Sequence, residues 1–319
     1  MIRILSLNGG GIRGLFQAKY LAELSKSLAA PLRSHFDLIA GTSTGAIIAL
    51  GIALDVEPDK LVELFEKHGA SIFPSKTRKK AGKLRAWFKK GPRYLQGPLR
   101  KVLEDTFGEN RLCDCQPPVV IPATTLDRFE CRVFTTLERC GHPRSRDAEL
   151  LASDVALASA AAPLFFQAER TRTGLQGTTE DPRFYVDGGV WANAPSLLAV
   201  KYANQCLMSS FEEMRLLSVG NGEVPAGIMG VDFNTTRRAK MLEPILDMMF
   251  ATQMELSDRL AGHLLGDEEM TGKRMLRVNV SLAAGVGLDD VKESVSKLPP
   301  LAVREARNHV DQVRRLLES

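Results

Sequence analysis

Phe36-Asp37-Leu38-Ile39-Ala40-Gly41-Thr42-Ser43-Thr44-Gly45 is the stretch on which the reading of this chain turns. An apolar run with strand character leads straight into Gly-Thr-Ser-Thr-Gly, and a helix-compatible run, Ala46 to Leu54, follows. Strand, sharp turn carrying a serine, helix: that is the layout of a nucleophile elbow. Gly41 and Gly45 fit it because a Cβ on either side of so tight a turn would crowd the two elements. Ser43 then stands at a helix N-terminus, where backbone N–H groups and the helix dipole favour a developing anion. The five-residue pattern alone is weak, since a chain of this size meets it by chance about one time in ten. Its flanks, and a second motif, carry the reading.

The second motif opens the chain. Ile2 to Leu7 reads as a strand, Asn8-Gly9-Gly10-Gly11-Ile12-Arg13-Gly14 follows, and Leu15 to Leu28 has helical periodicity. Gly9-x-Gly11-x-x-Gly14 satisfies a dinucleotide fingerprint literally. Against that, no acidic residue follows a clear second strand about 20 residues on; Asp37 comes near but precedes the serine turn. With a serine elbow one β-α unit later, the glycine-rich loop reads better as an oxyanion hole, its N–H groups near Gly10 and Gly11 aimed at a tetrahedral intermediate.

A serine nucleophile needs a base. None of the five histidines (His35, His68, His142, His263, His309) lies in a glycine-rich or strand-end context after the serine, and each reads as a surface or capping residue. Asp187 is the better candidate. In Phe184-Tyr185-Val186-Asp187-Gly188-Gly189-Val190 a short strand ends on a carboxylate before a double glycine. An ordinary aspartate is a poor base toward an alcohol unless burial raises its pKa or the oxyanion hole carries most of the catalysis. On the spacing alone, a general base and a turn-initiating Asp before Gly stand equal.

Gly-Gly-Gly-Ile-Arg-Gly at 9–14, Gly-Thr-Ser-Thr-Gly at 41–45 and Asp-Gly-Gly at 187–189 resemble the three signatures of patatin-like phospholipases, in order. The run Ala158-Ser159-Ala160-Ala161-Ala162-Pro163-Leu164-Phe165-Phe166 is similar to that family's segment ahead of its aspartate. The resemblance spans about residues 1–225. It implies a three-layer α/β/α sandwich with a mostly parallel sheet and a Ser–Asp dyad. Ser43 would be the nucleophile and Asp187 the base, with an oxyanion hole of Gly10, Gly11, Arg13 and Thr44. Gly9, Gly14, Gly41, Gly45, Gly188 and Gly189 are the motif glycines. Asn8 is a departure, standing where many relatives carry Asp; it keeps a turn-forming side chain.

Composition agrees with a globular enzyme: 319 residues, 44% hydrophobic, 25% charged. No run approaches 18 apolar residues and no cleavable apolar leader is evident, so neither a membrane span nor a secretion signal is expected. Five cysteines without scaffold spacing read as reduced thiols of a cytoplasmic protein. Cys113-x-Cys115 and Cys140-x-His142 lack the two-residue gap of zinc sites, and no carboxylate cluster has calcium spacing, so neither metal nor cofactor is expected.

The net charge of +4 hides an asymmetry. Residues 76–101 hold eleven Lys or Arg and no acid, which leaves the rest of the chain at −7. Leu84, Trp87 and Phe88 lie among them at helical spacing. A basic helix with an aromatic stripe reads as an element docking on anionic lipid, with Lys79, Lys80, Trp87, Phe88, Lys89 and Lys90 as its contacts. A solvated basic loop and a nucleic-acid patch are the competing readings, and one basic segment without a recognised fold does not make a partner of a nucleic-acid polymer. The segment 74–98 is thus expected to be a lid or membrane anchor.

Elsewhere the pattern predicts helices at 58–68, 97–107, 149–161 and 195–206, with strands at 119–125, 131–137 and 215–219. Alternating strands and helices argue for a mostly parallel, doubly covered sheet. From about 226 the chain is expected to form a largely helical C-terminal lobe packed on the core: a Met-rich helix over 236–266, a strand at 275–280, and a helix pair at 289–297 and 300–317. With this extension the whole resembles patatin-type effectors of bacterial antiphage systems. That implies a cyclic dinucleotide as allosteric activator and membrane phospholipid as substrate; transient contact with the inner membrane face is a further expectation, and a homo-oligomer is an open one. Arg237, Arg238, Lys240, Arg259, Lys273 and Arg274 are the candidate phosphate contacts. A constitutive lipid acyl hydrolase and a non-catalytic sensor of nucleotide or lipid are the alternatives.

Overall fold

The two N-terminal strands lie side by side at the centre of one sheet, as their apolar sequences demand. A computed structural model describes residues 1–74, 91–137, 147–171, 184–223, 242–282 and 286–318. Among them are strands β1 (Ile2–Leu7), β2 (Leu38–Gly41), β3 (Val119–Thr125), β4 (Glu130–Thr135), β5 (Glu169–Arg170), β6 (Phe184–Asp187), β7 (Met214–Val219) and β8 (Met275–Val278). The sheet order is β5-β6-β3-β2-β1-β7-β8, with β4 paired to β3 outside this path. The pairs from β3 through β2, β1 and β7 to β8 are parallel; β4, β5 and β6 join antiparallel.

Both sheet faces are covered, which is why β1 and β2 read as near-continuous apolar runs. On one face Leu5, Leu7, Ile39, Ile121 and Leu217 pack under α1 (Gly14–Ser25), α2 (Thr44–Ala53), α3 (Pro58–Ile72), α4 (Gly97–Phe107) and α5 (Ala152–Ser159). On the other, Ile4, Leu38, Ala40, Val120 and Leu216 pack under α7 (Ser196–Cys206) and α8 (Leu242–Leu265). A one-turn helix, α6 (Gly189–Ala192), stands where the sequence suggested only a glycine turn.

β8 pairs with β7 over Leu216–Val219, so the C-terminal residues extend the same sheet. The predicted helix pair at 289–297 and 300–317 is instead one helix, α9 (Val291–Glu318), with Pro299 and Pro300 inside it. Interior prolines remove helix hydrogen bonds and ordinarily break a helix. Here Leu298, Ala302, Ala306, Val313, Leu316 and Leu317 are buried with the α1 core, and that apolar face holds the helix through the interruption. No described helix is long and apolar enough to cross a membrane.

Candidate active site

Register along β3 brings the site together. β2 runs parallel beside the start of β3, with Ile39 opposite Val119 and Ala40 opposite Val120. β6 runs antiparallel beside its end, with Asp187 opposite Ala123. The two strands approach head to head on one edge of β3, so the chain leaving β2 meets the last residue of β6. Ser43, two residues past β2, brings its hydroxyl close enough to the Asp187 carboxylate to lower that group's pKa.

Ser43 sits at φ 55°, ψ −122°, a conformation L-residues rarely adopt, between the last strand residue and the first turn of α2. The surroundings force it. A Cβ on Gly41 would run into the Gly45 carbonyl, and one on Gly45 into the Leu7 carbonyl. The Ser43 amide donates to Ser159 Oγ at 3.0 Å, and Ser159 Oγ donates to the Pro122 carbonyl at 2.7 Å. The Thr42 hydroxyl donates to the Ala192 carbonyl at 2.6 Å.

Asp187 is almost fully buried. Loss of solvent pushes its pKa up to about 6, while the nearby Ser43 hydroxyl and the Gly189 amide pull it down. The Gly189 amide lies 2.6 Å from Asp187 Oδ1. The ordinary aspartate that sequence alone makes a poor base becomes, when buried, one poised near neutrality.

The glycine-rich loop folds over Ser43. Gly9 lies so close that a Cβ there would meet Ser43 Cβ and Asn193 Oδ1. The Gly10 amide, a predicted oxyanion donor, is engaged by Thr44 Oγ1 at 3.2 Å. Gly11, at φ +57°, has no acceptor for its amide among the described residues. The next amide, Ile12, donates to the Leu288 carbonyl at 2.9 Å, so a segment far along the chain props the loop from behind. Arg13 lines the same cavity with its Nε enclosed and without a hydrogen-bond partner among the described residues. Desolvation lowers its pKa, and Asp247 on α8 pulls it back up.

These residues surround a cavity of about 620 Å³. One side is apolar and comes from α2, α3, α4 and the 160–166 segment: Ile47, Leu64, Phe65, Ile72, Leu99 and Phe166. The other comes from α8 and the loops at 222–223 and 286–290, and carries Glu223, Asp247, Asp289 and Asp290 beside Met249 and Met254. Asp289 is held by Arg93 at 2.8 Å and the Tyr94 hydroxyl at 2.6 Å.

The structure thus gathers Ser43, Asp187, Gly9, Gly10, Gly11, Arg13 and Thr44 around one cavity. Gly14, Gly41, Gly45, Gly188 and Gly189 pack immediately behind them. Lys79, Lys80, Trp87, Phe88, Lys89 and Lys90 lie outside the described residues, as do Arg237, Arg238 and Lys240. Arg259 pairs with Glu255 at 2.7 Å, and Arg274 donates to the Leu265 carbonyl at 3.0 Å. None of the described histidines lines the cavity. Sequence reasoning missed Ser159, Leu288 and Asp247. Ser159 had a signal, a lone hydroxyl in an alanine run; Leu288 acts through its carbonyl, which no side-chain pattern announces.

The sequence profile described as patatin-like phospholipase matches residues 5–200. The chain belongs to the patatin-like phospholipase family. Among patatin-like relatives, a cGAMP-activated phospholipase of Pseudomonas aeruginosa is 31% identical over 83% of this chain and 75% of its own length. A second protein of that description, from Vibrio cholerae, is 31% identical over 68% of this chain and 62% of its own. Patatin-like protein 2 of Oryza sativa is 32% identical over 67% of this chain and 55% of its own. The chain therefore spans between about half and three quarters of these relatives. A solved structure, VipD from Legionella pneumophila, aligns over 99% of this chain and 67% of its own at 14% identity, with a TM-score of 0.45.

Proposed function

We propose that this patatin-like protein cleaves fatty-acyl esters of membrane phospholipids with Ser43 as nucleophile and Asp187 as base. The observation that carries this reading is that Ser43 and a buried carboxylate whose pKa is pushed up to about 6 line one largely apolar cavity together. Asp187 accepts the hydroxyl proton as Ser43 Oγ attacks the ester carbonyl. The new oxyanion faces the Gly11 amide, with the Thr44 amide and Arg13 beside it. Asp187 returns the proton to the leaving lysolipid oxygen, and water repeats the sequence on the acyl-enzyme.

The names of the Pseudomonas and Vibrio relatives support a finer reading: a cyclic dinucleotide, cGAMP among the candidates, switches hydrolysis on, as an antiphage effector requires. Labelling with a fluorophosphonate tests the chemistry. Wild type reacts and Ser43→Ala does not; equal labelling of both overturns the assignment. Fatty-acid release from phospholipid vesicles, with and without a panel of cyclic dinucleotides, tests the switch, and equal rates throughout remove it.

A further inference from the structure

α8 turns an apolar stripe toward solvent. Met249, Leu256, Leu260 and Leu264 fall within about 80° of one another around an ideal helix axis, along a stretch of roughly 22 Å. With Met248 beside them they are between 38% and 60% exposed. A helix on a protein surface normally gives its outer face to charged residues. Here the opposite face is the anchored one. Asp258, Ala261 and Leu265 are buried, and Asp258 Oδ1 accepts from Ser196 Oγ at 2.6 Å while its other oxygen lies 3.1 Å from Arg277 Nε. The stripe is therefore outward by construction.

The stripe begins at the mouth of the active-site cavity. Met249 belongs both to it and to the cavity lining, as does Val190, an exposed apolar residue of α6. Gln253 of α8 donates to the Val190 carbonyl at 2.8 Å and ties the two helices together there. From this juxtaposition we infer that the outer face of α8 is a docking surface for a phospholipid bilayer, which it sets against the cavity mouth. The inference rests on the reading of the protein as a phospholipid hydrolase, and names the surface through which that site meets its substrate.

Area argues for lipid over a second copy of the chain. The stripe with Val190 exposes apolar surface on the order of 500 Å², the size of a functional surface patch. A stable dimer uses about 800 Å² on each partner. Apolar side chains in line along a helix lying flat suit insertion at the headgroup boundary. A phospholipid, moreover, must leave its bilayer to reach Ser43, which is easiest where the apolar surface runs unbroken from membrane to cavity.

The test is co-sedimentation of the full chain with vesicles of phosphatidylethanolamine and phosphatidylglycerol, beside turnover of a soluble short-chain ester. The double variant Leu256→Glu, Leu260→Glu is expected to bind vesicles about tenfold more weakly or worse, because it places charge in the headgroup boundary. Soluble-ester turnover stays unchanged, which also reports intact folding. A second variant, Leu260→Trp, is expected to shift its emission to the blue on adding vesicles. Unchanged sedimentation of the double variant, absent binding by wild type, or no spectral shift overturns the inference. So does light scattering in which the double variant turns a wild-type dimer into a monomer while still binding vesicles. Sedimentation requires no chemistry. A protein that docks through this face yet releases no fatty acid therefore overturns the proposed reaction and supports the docking surface.

Discussion

The Ser159 hydroxyl holds Ser43 from behind, accepting a hydrogen bond from its amide at 3.0 Å and donating one to the Pro122 carbonyl at 2.7 Å. Ser43 occupies a strained backbone conformation, and such geometry persists only where neighbours enforce it. Ser159→Ala leaves both the Ser43 amide and the Pro122 carbonyl without this buried partner, at a cost of about 1–3 kcal/mol. Denaturant titration reads that loss. A fall in kcat larger than any change in KM for a soluble ester marks the elbow as misaligned.

Gly45 packs the elbow directly against the central strand. Its position against the Leu7 carbonyl leaves no room for a side chain. Gly45→Ala is expected to lose about 2–4 kcal/mol, since the clash is with backbone of the central strand and cannot be relieved by a rotamer change. Thermal unfolding measures it, and fluorophosphonate labelling falls in parallel as Ser43 moves.

Asp187 links activity and stability to pH in opposite senses. Its pKa stands at about 6 in the fold against a usual 3.8, so soluble-ester kcat/KM is expected to climb with pH through an inflection near 6 as the base form appears. For stability, the raised pKa means that the folded state binds the proton more tightly than the unfolded state. The resulting stabilisation is complete below about 3.8 and is lost as pH rises through about 6. Asp187→Asn removes that dependence. At pH 8 it is expected to be more stable than wild type by about 2–3 kcal/mol, with the difference vanishing near pH 4, while its turnover drops by about three orders of magnitude.

Asp258 fastens α8 to the sheet through Ser196, Ser218 and Arg277. Asp258→Ala strands a mostly buried guanidinium and is expected to cost about 3 kcal/mol. Hydrogen exchange is expected to rise in α8 before it rises in β1 or β2, because the loss is local to that helix's anchor.

The elbow and the glycine loop were legible in the sequence because each is a local device: two small residues flanking a serine between an apolar strand and a helix leave few other shapes. Asp187 was legible as a strand-end carboxylate and a candidate base, but spacing alone left that role level with a turn-initiating aspartate. Its partner is chosen by β6 lying end to end with β2 along β3, and pairing register is written in long-range packing rather than in neighbouring residues. α9 was misread because Pro299 and Pro300 are strong local punctuation, while the burial that overrules them belongs to α1. Asp247 facing Arg13 had no local signal at all, since the two meet only when α8 folds over the loop.

The hydrogen bond from Ile12 to the Leu288 carbonyl reaches across nearly the whole chain. A ribosome finishes Ser43, Asp187 and every glycine of the loop well before it adds the residues that brace that loop. Until β8 and α9 emerge and settle against β7 and α1, the newborn polypeptide carries its reactive groups without the scaffold that aims them. Translation order by itself thus leaves the glycine loop unbraced until the residues around Leu288 have been added.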